Sequence, residues 1–137
     1  MREARARYLA DNGFGDGGYE DGWVRFKVGP LPVAFPNTAS RKRAVPLHDL
    51  HHVATGYGTD LRGEAEIASW ELAAGCERHI AAWVLNLMAL PLALLAPRRV
   101  WAAWQRGRAS RSLYRGPFRE SLLDMTVGQL RSELGLA

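Results

Sequence analysis

Two periodicities divide the chain. In its first part Val24, Phe26 and Val28 alternate with Arg25 and Lys27, and Leu31, Val33 and Phe35 alternate again. Period two is the pattern of half-buried strands, so the spacing predicts a small hairpin turning at Gly29-Pro30. Pro32 and Pro36 push its second arm to an edge, or to plain extended chain. Residues 2–10 predict a short helix stopped at Asn12-Gly13, and the glycine- and aspartate-rich stretch to Gly22 reads as loop. After the hairpin, "NTASRKRA" reads as a basic polar loop.

From Pro46 onward the apolar positions fall at helical spacing. Pro46 suits the first turn of a helix that ends before Gly56-Tyr57-Gly58. Thr59 or Asp60 caps the next helix, predicted over Leu61 to Leu90 with a bend near Gly75, until Pro91 breaks it. Further helices are predicted from about Arg98 to Gln105 and over "FRESLLDM". A last one opens with a Thr126-to-Gln129 capping box and sets Leu130 and Leu134 four apart. The expected fold is mainly α: a compact helical domain with a small N-terminal β-hairpin, residues 1–137 forming a single domain.

The apolar run Ile80–Pro97 is long enough to raise a membrane span. Asn86 and Pro91 interrupt it, and Glu77, Arg78 and His79 precede it, so a buried core helix or one lining a lipid pocket is expected instead. Trp70, Trp83, Val84, Leu87, Met88 and Leu94 are the candidate surface for an apolar ligand, with ordinary core packing as the alternative.

Composition narrows the function. With 47% hydrophobic and 23% charged residues the chain is an ordinary globular one. The net charge of +4 comes from arginine, concentrated at Arg41-Lys42-Arg43 and between Arg98 and Arg115. Such segments face phosphates, an anionic membrane surface, or simply water. Neither an RNP motif nor a finger spacing is present, so no nucleic-acid partner is expected. Cys76 is the single cysteine, which excludes an internal disulfide; its apolar helical setting reads as a small buried filler. The first ten residues lack an apolar run, so a cytoplasmic protein without a secretory signal is expected.

Candidate chemistry sits in "LHDLHHVATGYGTDLRGEAEIASWE", Leu47 to Glu71. On a helix, His48 and His52 project from one face, with Asp49 at its edge, while His51 points about a hundred degrees away from His52. If the following helix returns antiparallel across Gly56–Gly58, Glu64 reaches the level of His52. Two imidazoles and two carboxylates suit a divalent ion, zinc first, with iron or manganese admissible. Glu71, two turns after Glu64, is a candidate supporting group. A solvated, histidine-rich helix start is the competing reading. HExxH, a P-loop, GxGxxG and GxSxG are all absent, and the further ligands of an HD phosphohydrolase are not found.

The pattern His48-Asp49-x-x-His52, eleven residues, then Glu64 resembles the HDxxHx11E signature of the coenzyme Q biosynthesis protein four family. The Thr55-Gly56 step, "TDLRGE", the long apolar helix, "VWAAWQRGRAS" and the terminal "LRSELGL" are similar to it as well. The similarity spans about Pro46 to Leu136; residues 1–45 are a divergent segment. The resemblance implies a mainly helical protein with a divalent metal, usually zinc, on His48, Asp49, His52 and Glu64, which are also the candidate catalytic residues. It implies action on a prenylated quinone precursor or related aromatic acid, with oxidative decarboxylation as the chemistry. It further implies work at a membrane face, peripheral at the inner membrane, beside other biosynthetic proteins and with a homo-oligomer as an option. The alternatives are a non-catalytic isoprenoid-binding scaffold with a structural metal, and a bacterial relative recruited to natural-product tailoring.

Overall fold

Helices carry most of the chain in the computed structural model, which describes residues 1–15, 18–28 and 31–136. In order they are α1 (Arg2–Asp11), α2 (Ala39–Thr55), α3 (Leu61–Ala74), α4 (Ile80–Ala89), α5 (Pro97–Arg108), α6 (Ser121–Asp124) and α7 (Val127–Glu133). Short 3-10 segments lie at Leu90–Leu95 and Leu113–Arg115. The strands β1 (Trp23–Val28) and β2 (Leu31–Pro36) pair antiparallel, with Val24 opposite Phe35 and Phe26 opposite Val33. The predicted turn at Gly29-Pro30 lies outside the described residues. The fold is mainly α, as the pattern predicts.

α2 starts earlier than expected. Thr38 accepts from the Arg41 amide as an N-cap, so "ASRKRA" forms the first turns of the helix and Pro46 lies inside it. A stripe of Ala44, Leu47, Leu50 and Ala54 is buried along α2. Gly56, at φ 80, ends the helix. Two arginines finish it: Arg106 donates to the Thr55 carbonyl at 3.0 Å and Arg131 to the Ala54 carbonyl at 2.6 Å. Cations at a helix C-terminus meet both its orphan carbonyls and its dipole.

The helix expected over Leu61–Leu90 is two helices. Gly75 at φ 102 and Glu77 at φ 46 turn the chain between α3 and α4, so helical spacing on both sides hides a reversal. Cys76 is fully buried, as expected of a small filler, but in this break and not within a helix. The helix expected at Arg98–Gln105 runs longer, from Pro97 to Arg108. That expected over "FRESLLDM" shrinks to Ser121–Asp124. The capping box at Thr126 and Gln129 is present in both directions.

α3 is the hub. α4, the first 3-10 segment and α5 all pack on it, while α1, α4 and α7 pack on α2. Trp70 and Ile67 of α3 join Leu47, Leu50, Leu130 and Leu134 in the innermost core. Trp70 is therefore core and not part of a ligand surface. α5 approaches α3 through Gly107, where an added Cβ would stand 2.4 Å from the Trp70 carbonyl oxygen and 2.8 Å from the Ala73 Cβ. Among the described residues no helix is long and apolar enough to cross a membrane.

The α3–α5 approach generates a stability test. Gly107→Ala forces backbone apart and is expected to destabilise the fold by about 1–3 kcal/mol, read as a shifted urea midpoint. An unshifted midpoint would mean that α5 is not held as closely as described.

Candidate metal centre

The histidine helix is positioned by its buried stripe, and the stripe decides where each imidazole goes. His48 and His52, four apart on α2, turn their Nε2 atoms toward each other at 3.1 Å, with the rings perpendicular. Glu64 comes from the first turn of α3. Asp60 caps that turn by accepting from the Gly63 amide, and Gly63 lies so close to Gly58 that a Cβ would meet its carbonyl oxygen at 2.1 Å. This contact lets α3 begin directly against the Gly56–Gly58 turn. It sets Glu64 Oε1 3.6 Å from His52 Nε2 and Oε2 3.8 Å from His48 Nε2. The return of Glu64 to the level of His52 that spacing predicts is thus present.

The tautomers follow from the other ring nitrogens. His52 Nδ1 donates to the Tyr57 carbonyl at 3.0 Å. His48 Nδ1 donates to Glu71 Oε1 at 2.9 Å. In the neutral imidazoles both Nε2 atoms would therefore carry the lone pair and face the same point as the Glu64 carboxylate. Zinc bonds of about 2.0–2.2 Å to a tetrahedral set would space neighbouring donors about 3.3–3.6 Å apart, close to the separations here. His48, His52 and Glu64 form a group able to hold a metal ion.

Asp49 is placed differently from the other three. Its carboxylate accepts from the Tyr19 hydroxyl, and among the described residues the group suited to a metal comprises His48, His52 and Glu64. Burial raises the Asp49 carboxyl, against the opposing pull of Tyr19 and His48. A contact from the loop before β1 makes this difference, and helical spacing around Asp49 carries no trace of it. His51 points away from the group, as expected. Its Nδ1 donates to Glu71 at 2.6 Å and its Nε2 accepts from the Leu113 amide at 2.8 Å.

Glu71 is fully buried and accepts from four side chains. Besides His48 and His51, Asn86 donates to Oε2 at 2.7 Å and Tyr114 to both oxygens at 3.1 Å. Burial alone would raise its carboxyl; the His48 charge and the two imidazole bonds outweigh that and hold it well below the usual carboxylate range. Burial likewise opposes charge on His48, yet Glu71, Glu64 and Asp49 raise it to about 9. Burial and the neighbouring His48 push His52 down to about 3. The imidazole pair thus carries one positive charge, held on His48 beside Glu71. Glu71 matches the supporting group expected from spacing. Asn86, Tyr114, Tyr57 and Tyr19 carry no such signal, except that a lone Asn within an apolar run invites the question of what it binds.

His48, Asp49 and Glu64 line a cleft of about 740 Å³. Tyr8, which also lines it, stacks on His52 with centroids 5.5 Å apart, and Leu85, Met88 and Ala89 of α4 line the same cleft. Of the α4 residues expected to receive a ligand, Met88 reaches the cleft, whereas Trp83, Val84 and Leu87 are exposed to solvent. Arg41 also lines the cleft. Of the remaining arginines, Arg99 is held by Glu66 at 2.6 Å and Arg106 closes α2. Compared with protein-family models, with characterised proteins and with solved structures, the chain matches none.

Two outcomes follow for zinc binding. Below about pH 9 an ion must displace the proton on His48 Nε2, so zinc affinity is expected to rise roughly tenfold per pH unit from pH 7 and to level off above about pH 9. A chelator-competition titration at several pH values measures this, and a flat profile would contradict it. Glu71→Gln keeps the shape but removes the charge that orients His48, and is expected to weaken zinc binding about 10–100-fold in the same titration.

Proposed function

We propose that the protein is a metal-dependent enzyme of the coenzyme Q biosynthesis protein four type. In this reading it holds a divalent ion on His48, His52 and Glu64 and acts on an aromatic acid with an apolar substituent. The carrying observation is the convergence of two Nε2 atoms and one carboxylate, with His48 and Glu64 lining a largely apolar cleft. Three protein donors leave one tetrahedral position open, the arrangement of catalytic rather than structural zinc sites. This favours the enzyme over a scaffold with a structural metal.

Zinc is the preferred ion because the donors are two imidazoles and a carboxylate; iron and manganese accept the same set. A bound ion would supply Lewis acidity, polarising a carboxylate or phenolate oxygen of the substrate. The chain's own residues do the rest. Glu71 and the Tyr57 carbonyl fix the two imidazoles in the binding tautomer. Arg41 brings positive charge to the cleft to complement an acid, and Leu85, Met88 and Ala89 offer surface for an isoprenoid substituent. Asp49, held by Tyr19, shapes the wall beside His48, and a substrate oxygen takes the fourth position that spacing assigns to Asp49. The reaction class carried by the resemblance replaces the ring carboxylate by oxygen: the carboxylate leaves as carbon dioxide, a water oxygen bonds to the ring carbon, and dioxygen takes up the two electrons released and becomes hydrogen peroxide.

Incubation of the zinc-, iron- or manganese-loaded protein with a carboxylated prenyl-phenol under air tests this. Release of carbon dioxide is expected with at least one metal, falling by about 100-fold or more in Glu64→Gln. Release unchanged in that variant would detach the chemistry from the metal group, and no release with any metal would leave the aromatic-acid reading without support.

A further inference from the structure

Tyr19 lies between α1 and β1, within residues 1–45 where the resemblance stops, yet its hydroxyl reaches α2 and donates to the Asp49 carboxylate. Several contacts deliver it there. Asn37, itself buried, donates through its side-chain amide to the carbonyls of Tyr19 at 3.3 Å and Asp21 at 2.8 Å. Its backbone amide donates to the Gly22 carbonyl at 2.9 Å, and Lys42 donates to the Glu20 carbonyl at 2.9 Å. The chain around Tyr19 is thus fastened to the start of α2, the helix that carries Asp49. Arg5 of α1 sets its guanidinium over the Tyr19 ring, 4.9 Å from the centroid, and steadies it.

We propose that Tyr19 is a positioning residue that withholds Asp49 from the ion, and so keeps one coordination position open for an anionic substrate oxygen. The inference rests on the metal reading of the site and adds the device that sets its coordination. Asp49 follows His48 directly and precedes His52 by three residues on α2, and it lines the same cleft as His48 and Glu64. A buried carboxylate needs a donor or a cation beside it. The Tyr19 hydroxyl supplies the donor, so Asp49 does not have to turn to the ion for one. With Asp49 bound, four protein donors would close a tetrahedral site in the manner of structural zinc; with Asp49 held by Tyr19, three donors leave it open. The charge changes in the same sense. A divalent ion on two neutral imidazoles and the Glu64 carboxylate keeps one unit of positive charge, and a second carboxylate ligand would cancel it. The site that Tyr19 maintains therefore attracts an acid, and the closed one would not.

Tyr19→Phe tests the inference, because it removes the hydroxyl and keeps the ring for Arg5. Zinc affinity in a chelator competition is expected to rise about tenfold in this variant, since an added anionic ligand tightens cation binding. In cobalt-loaded protein, azide is expected to shift the visible spectrum of the wild type by entering the open position, and to bind about tenfold or more weakly to Tyr19→Phe. Combining Tyr19→Phe with Asp49→Asn is expected to restore azide binding to the wild-type level, a rescue that a merely loosened fold would not show. Asp49→Asn alone is expected to change zinc affinity by less than about threefold, because Asp49 is not a ligand while Tyr19 holds it. Wild-type protein that binds zinc and azide, with Tyr19→Phe altering neither, would overturn the inference and leave the metal reading standing. So would a loss of zinc affinity of about tenfold or more in Asp49→Asn alone, which would make Asp49 a ligand in the wild type. Wild-type protein that takes up no zinc would overturn both.

Discussion

The buried Glu71 carboxylate is the constraint around which this molecule is arranged. An isolated charge at such a position costs several kcal/mol in lost hydration, and only a full set of donors compensates. Glu71 has that set, and the donors come from three separate parts of the fold: His48 and His51 from α2, Asn86 from α4, and Tyr114 from the 3-10 segment after α5. Each must be in place for the others to be worth their own desolvation. The network therefore specifies how α2, α4 and the chain after α5 sit on α3. It also explains the orientation of α4. Asn86 is drawn inward to Glu71 with Ala82 beside it, and the large apolar residues are left to face outward.

The same carboxylate connects packing to chemistry. By holding His48 at Nδ1 it fixes Nε2 as the nitrogen that gives up its proton to an ion. The Tyr57 carbonyl does the same for His52. Without these two bonds the Nε2 atoms would have no reason to converge with Glu64. Gly63 supplies the third condition, since only a residue without a side chain lets α3 start against the Gly56–Gly58 turn and present Glu64 at that height. Three unrelated local devices thus meet at one point, beside the Tyr8 ring that stacks on His52 and on the wall of the cleft that His48 and Glu64 line.

How much of this could be read along the chain depends on whether the deciding contact is local. The HxxxH pair was legible because helical spacing alone aligns two side chains. Glu64 was legible because a short glycine turn leaves few places for the next helix to begin. The thirty-residue contact from Tyr19 to Asp49 was not, since nothing around Asp49 announces a partner from a distant loop. The start of α2 was hidden because basic residues read as loop when the Thr38 cap is overlooked. The reversal at Gly75 was hidden because helical spacing continues on both sides of it. The exposed face of α4 was misread for a deeper reason: that apolar residues tend to be buried is a tendency, and it says little about a particular apolar stripe when a polar residue on the other side has a stronger claim on the interior.

The geometry of His48, His52 and Glu64 is the central claim, and zinc K-edge X-ray absorption on protein loaded with one equivalent of zinc tests it most directly. The account predicts one tightly held ion with two imidazole nitrogens, one carboxylate oxygen and a fourth, light-atom ligand from solvent, and loss of the two-imidazole signature in His52→Ala. A spectrum of hexahydrated zinc, or one unchanged by His52→Ala, would contradict it.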